Sequence, residues 1–241
     1  MMARRGFFGV VVGGAMALLG ACGVSGGDTY RFKMTLEVDT PEGVKSGSSV
    51  YEVEAKNVAA LTPGGVGLLV NVRGEAISVD LPEGRTVFAL LKTVNAKGHD
   101  DLAYTSMVAL DPLFRWDYVE SAARIATGVG LTSPAEVLPE NRPMLVTFKD
   151  IADPTSVVLV DPDDLAASFG AGYRLKAITV QVTDKPVTVG IEKRLDNNFW
   201  STWGKIRQQE LPRPGGVMAN PYFKTLQGRL SRNDFTTENS K

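Results

Sequence analysis

Residues 30–38 alternate strictly, with Tyr30, Phe32, Met34, Leu36 and Val38 apolar and Arg31, Lys33, Thr35 and Glu37 between them. A period of two predicts a strand with one face in a core and the other in water. Thr40-Pro41-Glu42-Gly43 reads as a turn, Pro presetting φ and Gly supplying a positive φ. Tyr51, Val53 and Ala55 then alternate against Glu52 and Glu54. Together these runs predict one long hairpin, with its tip at the small polar residues 45–49. A similar unit recurs, in which Ile77, Val79 and Leu81 lead through Pro82-Glu83-Gly84 into residues 87–94. Shared turn chemistry explains the repeated Pro-Glu-Gly better than duplication does. Between the two hairpins, Pro63-Gly64-Gly65 precedes the apolar run 66–72, which reads as a buried strand.

The middle of the chain changes period. Trp116, Val119, Ala122 and Ala123 stand at helical spacing, predicting a short amphipathic helix over 113–125 that Gly128 and Gly130 end. Residues 131–142, with Pro134 and Pro139, read as an irregular connection. Strand signals return at 144–148, 157–160, 173–182 and 187–191, in runs rich in β-branched and aromatic residues. Inside this group a small helix is punctuated by Asp161 as N-cap, Pro162 at its first position, Asp163 and Asp164 in its first turn, and Gly170 as its stop. The expected fold is mainly β, an antiparallel β-sandwich or partly closed barrel with one or two short helices. Residues 29–195 form one β-rich domain, and 196–241 read as a polar C-terminal tail with a short helix near 223–230.

The first 28 residues belong to a different chemistry. Arg4 and Arg5 precede a wholly apolar or glycine run over 7–19. Its length suits the apolar region of an export signal, whereas about 20 apolar residues are needed to span a bilayer as a helix. Leu19-Gly20-Ala21-Cys22 closes the run, and Cys22 is the single cysteine of the chain. This motif resembles the lipobox of bacterial lipoproteins. The resemblance implies cleavage of the signal peptide 1–21 before Cys22 and lipidation of the Cys22 sulfur. Residues 22–28 then form a lipidated cysteine and flexible tether, because Gly and Ser give a coil of little stiffness. Gly23 after the cysteine, rather than Asp, implies sorting to the outer membrane of a Gram-negative host, facing the periplasm. Arg4-Arg5-Gly6-Phe7-Phe8 also resembles a twin-arginine export signal, although Ala3 stands where such signals carry a polar residue, so Sec and twin-arginine export are both open readings.

Cleavage removes both Arg4 and Arg5, leaving 220 residues with 24 Lys and Arg against 27 Asp and Glu. A net charge near −3 argues against nucleic acid as a partner, and the membrane is contacted through the lipid rather than through charge. Once Cys22 is acylated no thiol remains for a disulfide, a thiolate nucleophile or a thiolate metal site. His99, in Lys97-Gly98-His99-Asp100-Asp101, is the only histidine and reads as a loop residue rather than a catalytic base or zinc ligand. Gly23-Val24-Ser25-Gly26-Gly27 matches the G-x-S-x-G nucleophile elbow but lacks the strand before it and helix after it. It reads as linker. Asp150, Asp153, Asp161, Asp163 and Asp164 are the densest acidic group, and turn and cap duties account for most of them ahead of calcium binding or acid–base work. Phe199, Trp200 and Trp203 either close one end of the sandwich or stand exposed as a contact for membrane or partner. No cofactor is expected.

Thr40-Pro41-Glu42-Gly43-Val44-Lys45, Arg73-Gly74-Glu75-Ala76, Asp153-Pro154-Thr155-Ser156-Val157 and Gly190-Ile191-Glu192-Lys193 resemble a family of uncharacterised proteobacterial proteins across most of 29–195. The resemblance implies the type of host and no activity. The function expected from the sequence is that of a lipid-anchored envelope lipoprotein serving as a non-catalytic binding or structural module. The alternative is an envelope hydrolase using carboxylates near residues 150–164.

Overall fold

The computed structural model describes residues 28–59, 66–93, 101–128, 133–210 and 225–238. Among these residues nine strands form, in chain order β1 (Asp28–Thr40), β2 (Gly43–Ala59), β3 (Val66–Arg73), β4 (Ile77–Asp80), β5 (Thr86–Thr93), β6 (Ala135–Glu136), β7 (Pro143–Phe148), β8 (Val157–Val160) and β9 (Arg174–Val182). The helices are α1 (Leu102–Leu110), α2 (Tyr118–Ala126), α3 (Leu165–Phe169), α4 (Asn197–Glu210) and α5 (Leu226–Arg229). The fold is mainly β, two antiparallel sheets packed as a sandwich, with more helical segments than the expected one or two.

One sheet has the order β3-β2-β1-β9-β6 and the other β4-β5-β7-β8. The alternating strand β1 lies at the centre of the first. It pairs with β2 along its whole length, from Asp28↔Ala55 to Thr40↔Gly43, and with β9 from Phe32↔Val182 to Asp39↔Arg174. Tyr30, Phe32, Met34, Leu36 and Val38 are all buried, as the alternation requires, in one cluster with Val53, Val79, Val87, Ala89, Leu145 and Val180. The outward positions zip into cross-strand ion pairs, with Glu52 bridging Arg31 at 2.7 Å and Arg73 at 2.9 Å. Helices α1 and α2 cover part of the same core, the Tyr30 hydroxyl meeting Ser106 Oγ at 2.7 Å.

The turn of the long hairpin is Pro41-Glu42, and residues 45–49, expected at the tip, lie within β2 opposite Val38 to Met34. The reason is visible at Gly47. A Cβ there would collide with the Ser78 carbonyl of β4, so the small residues of β2 admit the second sheet rather than make a loop. Strand β3 exists but is an edge strand with Leu68 and Leu69 exposed, not a buried one. Residues 187–190 form no strand, and Ile191 opens a single 3-10 turn. In the small helix the cap moves three residues on. Asp164, not Asp161, accepts from the Ala167 amide at 3.1 Å, while Asp161 accepts from Asp163 in the preceding turn. Gly170 ends it at φ 96°.

Residues 196–210 and 225–238, the described part of the expected tail 196–241, differ most from expectation. Asp196 accepts from the Phe199 amide at 2.8 Å and starts the 14-residue helix α4. Phe199, Trp200 and Trp203 fall on one face and are buried, together with Leu230 and Phe235, against Phe88, Leu90, Val146 and Phe148. These last four point away from the first core, so β5 and β7 are covered on both faces. The described residues 196–210 and 225–238 form a third layer on the second sheet.

Glu75 fastens that layer. It is 2% exposed, its carboxylate accepts from the Ile191 amide at 2.8 Å and from Thr236 Oγ1 at 3.4 Å, and the Ala76 amide donates to the Phe235 carbonyl. Burial pushes its carboxyl above the ordinary range, and hydrogen bonds from the amides of residues 190 and 191 only partly offset that. A carboxyl raised in the folded state stabilises the fold below about pH 4.3, the unfolded glutamate value, and that contribution is lost as pH rises through the folded value. Thermal unfolding from about pH 4.5 to 7 is therefore expected to show a smaller fall in melting temperature for Glu75→Gln than for the wild type. Parallel pH profiles would contradict this assignment.

Candidate functional site

Among the described residues the most exposed aromatic side chain, Trp116, stands in the loop from 111 to 117 between α1 and α2. Both ends of this loop are pinned by aspartates. At the first end Asp111, 4% exposed, accepts from the Leu113 amide at 3.0 Å and from Arg124 Nη2 at 2.6 Å. Burial pushes the Asp111 carboxyl up, but the bonds from Arg124 and from the Leu113 amide outweigh it and hold it below the usual range. At the second end Asp117 caps α2 through the Glu120 amide at 2.9 Å. Asp101 caps α1 in the same way at 2.6 Å. Helix α2 therefore starts after Trp116, which the sequence had placed on it. Side chains presented between two such pins keep their position without help from a ligand.

Between the pins stand Leu113, 62% exposed, and Trp116, 57% exposed. Trp116 stacks on Tyr104 with ring centres 5.2 Å apart, and Phe114 meets Tyr104 and Tyr118 edge-on at 5.8 and 5.5 Å. Trp116 also holds φ at 73°, the left-handed region that a bulky residue occupies at a cost of about 1–2 kcal/mol. Such strain persists where the surroundings over-determine it, commonly at binding sites. The Tyr118 hydroxyl is pushed up to about 12, by burial first and by Asp101 next, so it stays protonated.

A cleft of about 510 Å³ is lined by Glu83, Arg85, Thr86, Phe88, Phe148, Lys149, Asp150 and Ile151. Its guanidinium is already engaged. Arg85 donates to the Phe169 carbonyl at 2.7 Å and the Tyr173 hydroxyl at 2.8 Å, and lies over the Tyr173 ring. The five clustered aspartates are held locally rather than turned toward a common point. Asp150 accepts from the Ala152 amide, Asp153 from Thr155, and Asp163 pairs with Arg142 at 3.0 Å, while Asp161 and Asp164 serve the turn and the helix cap. Among the described residues no group of three or more His, Cys, Asp or Glu is placed to hold a metal ion.

Leu19, Gly20, Ala21, Cys22, the G-x-S-x-G stretch and His99 lie outside the described residues. Among those described, no helix is long and apolar enough to cross a membrane. The Asp111–Arg124 pin and the strained Trp116 escaped the sequence reading. The available signal was the pair Asp111 and Asp117 flanking Pro112, Phe114 and Trp116, cap residues bracketing a turn rich in large apolar side chains. Compared with protein-family models, with curated proteins and with solved structures, the chain finds no match in any of the three.

Proposed function

We propose that the chain is a lipid-anchored envelope lipoprotein whose β-rich domain is a non-catalytic binding module facing the periplasm. The observation that carries this reading is the closeness of the lipobox-like cysteine to the fold. Asp28, the first residue of the central strand β1, is only the sixth residue after Cys22. Six extended residues reach about 20 Å at most, so the tether keeps the domain at the leaflet that holds the lipid. A diacylglyceryl group with a further acyl chain exceeds the two-signal threshold for stable attachment. Cys22→Ser is expected to abolish labelling with radioactive palmitate and to leave an uncleaved precursor. Labelling equal to wild type overturns the anchor.

The pinned aromatic loop supports binding as the role of the domain, and a protein in the envelope as the partner. Trp, Tyr and Arg dominate protein interfaces, and Tyr104, Arg115 and Trp116 supply all three around Leu113. Asp150, Asp153, Asp161, Asp163 and Asp164 each serve a local bond, which favours binding over the hydrolase alternative. Trp116→Gly removes a stack worth about 0.5–1.5 kcal/mol while relieving a backbone penalty of similar size. It is expected to leave stability within about 1 kcal/mol of wild type, well under the cost of truncating a buried tryptophan. In the same variant a photo-crosslinker placed at Leu113 should lose the discrete adduct it forms in wild-type envelopes. An adduct that persists in Trp116→Gly argues against this face.

A further inference from the structure

Strands β2 and β3 continue past the end of β1. Asp28 opens β1 opposite Ala55, and Ala55 faces Val70, yet the β2–β3 ladder runs on through four more pairs to Ala59↔Val66. Four residues at about 3.4 Å each carry this ribbon roughly 13 Å beyond the sheet. Because β2 runs antiparallel to β1, the extension lies at the end of the sheet where Asp28 opens β1. The ribbon and the first residue of β1, six positions after Cys22, stand at the same end of the sandwich and on adjacent strands.

Both faces of the ribbon carry exposed apolar side chains, beside Lys56 on the outer face and Asn57 on the inner one. Facing pairs share a side, so Val58 opposite Gly67 and Leu69 opposite Lys56 lie on the outer face, and Leu68 opposite Asn57 on the inner one. Val58, Leu68 and Leu69 are 36%, 50% and 36% exposed. Leu68 stands on the side that buries Val53 and Ala55 further along, but past the point where the core covers it. Over residues 56–59 and 66–69 the single charge is Lys56, already paired with Glu54 at 2.6 Å, and no carboxylate is present to repel a phospholipid surface.

We propose that this ribbon is a second membrane contact, its Val58, Leu68 and Leu69 side chains seated in the bilayer that holds the Cys22 lipid. The proposal rests on the anchor reading above, since the tether fixes which end of the sandwich faces lipid. With two attachment points instead of one, the domain holds a set orientation on the leaflet rather than swinging on a coil.

Because lipid consumes the sole cysteine, Leu68→Cys in the full-length processed protein carries the only free thiol and accepts one environment-sensitive fluorophore. Leu69→Cys samples the opposite face, and Val44→Cys, 49% exposed beside the turn at the far end of the same hairpin, is the reference. Each is reconstituted into phosphatidylethanolamine–phosphatidylglycerol vesicles with nitroxide-labelled lipid. A side chain seated about 5–10 Å into the headgroup–acyl boundary places its fluorophore within reach of the nitroxide. The expected result is a blue shift with nitroxide quenching at 68 and 69, and neither at 44. If the protein floats with the vesicles and the fluorophores at 68 and 69 emit as in water, the membrane contact is overturned and the anchor stands. A blue shift without quenching also overturns it, because the ribbon is then covered by protein. If the protein does not float, and its mass shows an intact Met1 and a bare Cys22, both readings fall together.

Discussion

Trp203→Ala is expected to destabilise the fold by about 3–5 kcal/mol, the cost of emptying a large buried site that cannot collapse. Trp203 is 2% exposed and touches four other rings, those of Phe148, Phe199, Trp200 and Phe235, at centre distances of 6.1, 5.5, 5.8 and 5.7 Å. Its indole N–H donates to the Gln227 carbonyl at 3.0 Å, joining α4 to α5. Truncation leaves that carbonyl to find water and opens a void between the third layer and the middle sheet. Removing residues 197–241 altogether is expected to be worse, since Phe88, Leu90, Val146 and Phe148 would face solvent as one apolar patch. Denaturant unfolding of the point variant and solubility of the truncation test both statements. A midpoint near wild type for Trp203→Ala would mean that the third layer is not part of the cooperative unit.

Gly47→Val is the second large loss, about 3 kcal/mol or more. Overpacking typically costs about 1–3 kcal/mol, and here the obstruction is backbone rather than a flexible side chain. The added Cβ would meet the Ser78 carbonyl oxygen of β4, with Val79 Cγ2 3.1 Å away, so the two sheets must part to admit it. Gly43 is the contrast. Nothing lies within 4 Å of its missing Cβ, and only its φ of 104° favours glycine. Gly43→Ala should therefore cost only about 1 kcal/mol, the left-handed penalty alone. Unfolding midpoints that rank the two variants in reverse would refute the assignment of Gly47 as the point of closest approach between the sheets.

Much of the sandwich was legible because β1 and β2 meet solvent on one face and core on the other, which writes a period of two into residues 30–38 and 51–55. The third layer was legible in principle through the middle sheet. Phe88 and Leu90 lie on one face of β5, Val87 and Ala89 on the other, and all four are buried. A run that is apolar without alternation signals cover on both sides. That cover comes from a segment whose Phe199, Trp200 and Trp203 are diluted among polar residues, so composition hid it. Helix α1 was missed for the opposite reason. Leu102, Ala103, Thr105, Ser106, Met107 and Leu110 are all buried, and a helix covered around most of its girth carries little periodicity to read. Trp116 was misplaced because spacing alone continues the helical pattern backward, whereas the Asp117 cap and the left-handed backbone stop it one residue later. The aromatic loop depends on these tertiary restraints, so the sequence supplied its residues without their arrangement.

The pairing of β1 with β9 also sets a timetable for synthesis. The central strand is made first among the strands, yet its second neighbour ends at Val182, so the five-stranded sheet stays incomplete for some 140 residues after the first strand is finished. At about 5–20 residues per second that delay lasts roughly 7–28 seconds. For all of it the chain lacks its complete native sheet, and on the export reading proposed above a translocase that threads extended chain would meet an unfinished fold.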